Sequence, residues 1–379
     1  MRICSWMNGI PQGARTAVRL CTGSTVYRKE PGMAVRICSS MNGIAQGART
    51  ALWICLIIFH GAPAIADSEL RPVDYNPFET RDQNLFNLIH GQALPTNAHL
   101  LTKGQGLWSS GLNITNTVNI ESSTNENIYL DYEAYRFNFS YQYGLNENWN
   151  LKIDVPLVHQ SGGTFDGAIN DWHDFWGLPD GQRPSVENNQ YDIRYSYQSQ
   201  SSIDLNESSS TLGDIQLAVA HSVLTSDRTS ISLWGSVKLP TGNEDKLTSN
   251  GATDISAWLA LNQQLSKSWL INLNAGAVFL GADTYKDMPL SSSTFYGHLM
   301  LGWLVSDNIN LKLQLQGHTS YYEDSQLKIL GDTYFLTFGG SIKINQCNQL
   351  DIAMSEDIKV NASPDASLLI NWRSYSGGC

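Results

Sequence analysis

Between His159 and Pro184 the chain reads HQSGGTFDGAINDWHDFWGLPDGQRP, its densest run of ionisable and aromatic side chains. Asp166, Asp171, His173 and Asp174 lie close together, with Arg183 shortly after them. Carboxylates beside an imidazole are the parts of a general acid–base pair, and clustered carboxylate oxygens suit a hard cation. The spacing predicts a short amphipathic helix over 165–175, with Asp166, Ile169 and either Trp172 or His173 on one broad face. The plainer reading is an ordered loop anchored by its aromatics. We adopt it, so no catalytic residue, metal or cofactor is expected, and the five polar residues stand as candidates for loop structure or ligand contact.

Nucleophile chemistry leaves a fainter trace. His159, His173, His221, His298 and His318 could each serve a serine, but no Gly-x-Ser-x-Gly turn occurs. A Ser/His pair within hydrogen-bond reach at a lipid-facing rim would speak for an enzyme. His298 and His318 fall on neighbouring expected strands, both on the inner parity. Lys152 and Lys238 share that parity with Arg136, Lys312, Lys343 and Arg373. Asp131, Glu133, Asp154 and Asp254 are expected to oppose them inside, either bracing a narrow barrel or tuning the passage of solutes.

The elements that must carry these residues alternate with period 2. Ile309-Asn310-Leu311-Lys312-Leu313-Gln314-Leu315-Gln316 puts oil on one face and hydrogen-bonding groups on the other. Twelve such segments are read, near 107–121, 127–143, 149–158, 212–223, 229–240, 253–263, 269–280, 293–305, 309–321, 332–344, 349–358 and 366–375. Trp149, Leu151, Ile153, Val155 and Leu157 form one outward row, and Asn150, Lys152 and Asp154 its inward partner.

The connections alternate too. Short turns near 144–148, 224–228, 264–268, 306–308 and 345–348 answer long ones at 159–211, 241–252, 281–292 and 322–331. That rhythm belongs to an all-β, transmembrane antiparallel β-barrel of about 12 strands. Trp149, Trp269 and Trp303 fall beside short turns, where an amphipathic ring suits a membrane rim.

The barrel is expected behind an export signal. Arg49, the apolar run Ala51–Phe59 and Ala64-Ile65-Ala66 before Asp67 read as a signal peptide, residues 1–66. Within it, Arg2–Ala17 recurs at Arg36–Ala51 with two differences, a duplicated n-region or an early start site. Residues 67–103 read as an irregular periplasmic or plug segment. Residues 104–375 read as the barrel, with 159–211 as its large outer loop and 376–379 as a tail.

Seven of the 24 basic and one of the 35 acidic residues lie in the signal, leaving 17 against 34 and a net charge of −17. That balance excludes nucleic acid as a partner. Only Cys347 and Cys379 survive processing, too few for a disulfide scaffold, though both would lie in the oxidising periplasm and could pair.

Several motifs resemble a family of uncharacterised Gram-negative outer-membrane proteins, domain of unknown function 3187. They are Arg81-Asp82-Gln83-Asn84, Ser161-Gly162-Gly163, Phe165-Asp166-Gly167 and His173. Gly177-Leu178-Pro179-Asp180-Gly181, Arg183-Pro184 and Lys238-Leu239-Pro240-Thr241-Gly242 complete the set. Asp82 departs from the Asn usual at its place. The likeness covers residues 70–375 and implies an outer-membrane barrel without supplying an activity.

The reading that follows is a barrel in the outer membrane of a Gram-negative bacterium, a porin-like channel or a surface structural protein. The alternatives are a lipid- or lipopolysaccharide-modifying enzyme and a plugged scaffold or adhesin. Its expected partners are outer-membrane lipid, the barrel-assembly machinery during biogenesis, and small solutes.

Overall fold

The computed structural model describes residues 76–176, 183–198, 200–359, 362–364 and 366–377. The expected signal peptide and Cys379 lie outside them. A short helix α1 (Leu85–Leu88) precedes the strands β1 (Gly106–Ser122), β2 (Glu126–Asn146) and β3 (Trp149–Ser161). After helix α2 (Asp166–Trp176) come β4 (Asp192–Tyr197), β5 (Gln200–Leu205) and β6 (Ser209–Leu212). Next are β7 (Ile215–Thr225), β8 (Thr229–Leu239), β9 (Asp254–Gln264) and β10 (Trp269–Phe279). A small hairpin, β11 (Thr284–Tyr285) and β12 (Met288–Pro289), leads to β13 (Ser293–Ser306) and β14 (Ile309–His318). The chain ends in β15 (Thr333–Lys343), β16 (Asn348–Asp357) and β17 (Ala366–Ser376).

Twelve of these strands form a closed antiparallel barrel in the order β1-β17-β16-β15-β14-β13-β10-β9-β8-β7-β3-β2, shut by the β2–β1 ladder. Closure leaves no edge within the ring, so every ladder group there has a partner, which hydrocarbon demands. The strands expected from the alternation are all present. β1 and β2 run longer than expected, and β14 stops at His318 instead of residue 321. It stops there because Ser320 joins a loop network, its hydroxyl donating to Tyr322 O and Leu330 O.

Alternation fixes the two faces. On β14 Leu311, Leu313 and Leu315 are exposed while Asn310, Lys312, Gln314 and Gln316 are buried inside. Trp269 and Trp303 are directly paired and stack at 5.7 Å beside the short turns. An arginine in the middle of this outer belt should destabilise by about 2–4 kcal/mol at the bilayer midplane. Leu313→Arg is expected to lower the unfolding midpoint in lipid vesicles accordingly, where an uncharged Leu313→Ile leaves it nearly unchanged.

Above β3 the wall continues. Residues 126–131 of β2 pair with β4, and β4 with β5, extending the sheet past the barrel at its long-loop end. The inner faces of this extension, Ile128, Leu130, Ile193, Tyr195 and Ile203, join an apolar core with Leu85, Phe86 and Ile89 of the N-terminal segment. Leu327, Ile329 and Leu330 from the β14–β15 loop complete it.

Candidate functional site

The inside of the barrel is occupied by the chain's own residues 76–101. Twelve strands enclose more room than wall side chains fill, unlike eight, and here a polypeptide hairpin takes up the difference. Its first limb climbs β14. Asn76 O accepts from Lys312 Nζ at 2.7 Å, and Phe78 N donates to Gln314 Oε1 at 3.0 Å. Gln314 Nε2 returns a bond to Phe78 O at 3.1 Å, and Asp82 meets His318 Nε2 at 3.0 Å. The second limb descends past β9 and β10. Thr96 N donates to Asn274 Oδ1 at 2.8 Å, and Asn274 Nδ2 donates back to Thr96 O at 3.1 Å. Leu101 exchanges the same pair of bonds with Asn150, each 2.9 Å. A carboxamide carries one donor group and one acceptor, so it can bind a peptide group as another strand would.

Between the limbs α1 forms the tip. Asn84 caps it, accepting from Phe86 N at 3.1 Å and donating to Ile329 O at 2.7 Å. Arg81, itself buried, binds the two limbs together by donating to Leu88 O at 2.8 Å, His90 O at 3.1 Å and Gln92 O. Gly91 sits so close to the wall that an added Cβ would stand 2.6 Å from Asp254 Cβ. Its N–H donates to Asp254 Oδ2 at 2.9 Å, and its carbonyl accepts from Gln216 Nε2 at 2.7 Å.

Lys238 is the main ionic anchor of the tip. Its ammonium donates to Ile89 O at 2.9 Å, to Asp214 Oδ2 at 2.7 Å and to Asn250 Oδ1, and lies 3.3 Å from Asp254 Oδ2. Lys152 pairs with Asp154 at 3.0 Å on the inner face of β3. His298 and His318, though on paired strands, do not meet: His298 Nε2 contacts Asn272 Oδ1 at 2.5 Å and His318 serves Asp82. Both are buried against protein groups. Towards the short turns the lumen opens into a cavity of about 280 Å³, lined by Gln105, Gln142, Asn310, Lys343, Gln349 and Tyr375 among others. Cys347 at that end is disulfide-bonded, and Cys379, the partner expected for it, is outside the described residues.

Two carboxylates expected inside the barrel lie on its outer face, under the large loop. Asp131 and Glu133 share the parity of the exposed Phe137 and Phe139, so they face out of the barrel and not into it. They tolerate that face because loop residues cover them. Thr164 N and Phe165 N donate to Glu133 Oε2 at 3.4 and 3.1 Å, and Gly163, at φ +70°, packs where a side chain would collide with that carboxylate. Asp166 accepts from Asn116 Nδ2 at 2.8 Å and Arg183 Nη2 at 2.9 Å, and through its other oxygen from Asn189 N at 2.6 Å. Asp166 and Arg183 are thus brought together as a clamp on the outer wall. Asp171 and Asp174 stay exposed, and the side chain of His173 is outside the described residues. Among the described residues no group of three or more His, Cys, Asp or Glu could hold a metal.

Asp131 lies above the apolar belt, in the stretch of β2 paired to β4. Burial, then the neighbouring Asp166, push its carboxyl up to about 7, partly opposed by Arg183, with Asp192 adding to the rise. An acid whose folded pKa exceeds its unfolded value binds more protons when folded, so stability falls as pH rises between about 4 and 7. Limited proteolysis of the 162–190 loop should therefore proceed faster at pH 8 than at pH 5. Asp131→Asn is expected to flatten the difference.

A family described as "Protein of unknown function (DUF3187)" matches residues 54–374. The chain belongs to this family. Its motifs now have places. Arg81 to Asn84 turn and cap the plug, the Lys238 motif seats the tip, and Phe165-Asp166-Gly167 with Arg183 clamps the loop outside. No curated protein matches the chain. Among solved structures, the COG4313 outer membrane channel from Pseudomonas putida F1 is similar at 13% identity and a TM-score of 0.51, over 75% of this chain and 100% of that one. That likeness is one of fold. The NanC porin (9% identity, TM-score 0.39, 72% and 100% covered) and the CymD monoaromatic hydrocarbon channel (10%, 0.36, 73% and 89%) are more distant.

Proposed function

We propose that the protein is a gated channel for small solutes in the outer membrane of a Gram-negative bacterium, with residues 76–101 as its gate. One observation carries the reading: the lumen wall is polar and is closed by a separate chain segment held through hydrogen bonds. A wall of Asn, Gln, Lys and Asp can exchange those bonds for water when the segment leaves. The short turns would face the periplasm and the β4–β5 extension the outside. The purified chain in planar bilayers, with and without residues 76–101, tests this. Resolved conductance steps from the shortened form support it, and silence from both forms overturns it.

A second reading rests on a specific contact. His159 Nδ1 lies 2.8 Å from Ser210 Oγ on directly paired positions of β3 and β6, facing outward at the rim above Leu157. A histidine that takes a serine proton next to lipid could hydrolyse acyl esters. Among the described residues no carboxylate orients the His159 ring, so the channel is preferred. A fluorophosphonate probe decides: covalent labelling lost in Ser210→Ala would favour the enzyme, and no labelling of the parent rules it out.

A further inference from the structure

Helix α2 is the one helix of more than one turn among the described residues, and it lies outside the barrel wall. Its first residue, Asp166, is bound to Asn116, which faces outward on β1 across from Glu133 of β2. Asn170 is held at the same side by Arg183 Nε at 3.0 Å. Phe175 follows Asp166 by nine residues, two and a half turns, and so projects from the opposite side of the helix, away from the wall. It is the most exposed large apolar side chain described, at 78%, and Phe165 at the helix start is exposed at 41%.

The height of the helix follows from register. Glu133, which holds Phe165 N, stands four residues beyond the exposed Phe137 on the same face of β2. At about 3.3 Å per residue and a strand tilt near 40°, that is roughly 10 Å above the upper part of the apolar belt. Tyr135 and His159, in ring contact at 5.9 Å, fill the step between. Phe165, at the start of the helix, therefore continues the outer belt upward, to the level where acyl chains meet headgroups. Side chains with apolar bodies are at ease there, and amphipathic helices lie in that plane.

We propose that α2 is a membrane-interface anchor, its outward face resting in the headgroup region of the outer leaflet and its clamp, Asp166–Arg183, holding it to the wall. The occupant is lipid because the belt just below is the surface a barrel of this fold presents to lipid. The α2 part of the loop is thus a collar on one sector of the outer wall. The inference does not depend on whether the lumen conducts.

The experiment places an environment-sensitive fluorophore at Phe175→Cys in the oxidised full chain, reconstituted in phosphatidylethanolamine/phosphatidylglycerol vesicles. Leu313→Cys serves as the belt reference, and Asp283→Cys in an outer loop as the aqueous one. Unchanged heat-modifiable migration shows that each labelled barrel is folded. The expected result is blue-shifted emission at position 175, quenched several-fold more by lipids spin-labelled near the headgroup than by aqueous iodide. Asp166→Asn should move that ratio towards the aqueous reference. Iodide quenching equal to position 283 overturns the proposal. So does a label quenched by neither agent, which would mean that protein, such as a second copy of this chain, covers the helix.

Discussion

A chain exported with its signal but lacking residues 76–101 is expected to conduct, where the intact protein stays near background. The barrel ladders do not pass through the removed segment, so the ring should still close. The wall groups it uncovers, among them Asn150, Asn274, Gln314 and Lys312, gain water in place of peptide partners, and hydrated amides carry little penalty. What is lost is the apolar tip, Leu85, Phe86 and Ile89 against Ile193, Tyr195 and Ile329. That loss should loosen the long-loop end and leave the belt intact. Conductance should rise by at least an order of magnitude in planar bilayers, with heat-modifiable migration retained. A folded, shortened barrel that remains silent would overturn the channel reading.

Lys238→Met should have the next largest effect. One ammonium ties Ile89 O of the plug to Asp214, Asn250 and Asp254 of the wall. Removing it strands two buried carboxylates, and breaking a buried ion pair from one side costs about 3–5 kcal/mol. The energy has a route of escape: the tip can withdraw and let water reach Asp214 and Asp254. The variant should therefore show both a lower unfolding midpoint and frequent conductance openings. Adding Asp254→Asn should recover part of the stability, because one of the stranded charges is then gone. A midpoint drop without openings would mean that the tip is held by its apolar contacts alone.

The parts of this structure legible in the chain are those set by local rules. Successive Cβ atoms point to opposite faces, so Leu311-Lys312-Leu313-Gln314 states its own two surfaces. Short turns alternating with long loops then order the strands into a ring. The pairing of Asp166 with Arg183 was within reach as two charges in one loop, but its location was not. Charge alone places Asp131 and Glu133 in the lumen, since a carboxylate on the outer face of a barrel strand is costly until something covers it, while parity with Phe137 places them outside. Parity was the better guide. The contact of His159 with Ser210 joins residues 51 positions apart and had no spacing signature.

The alternation and turn rhythm alone determined a twelve-stranded barrel with an oily outside and a polar inside, because side-chain direction in a strand is decided residue by residue. Only the tertiary structure decided that residues 76–101 fill the lumen and that α2 lies against the outer wall. An inward Asn or Gln is equally well satisfied by water or by a peptide group, and a loop carries no periodicity that says which side of a wall it folds to. Those choices are made by partners distant in sequence, such as Gln314 for Phe78 and Glu133 for Phe165.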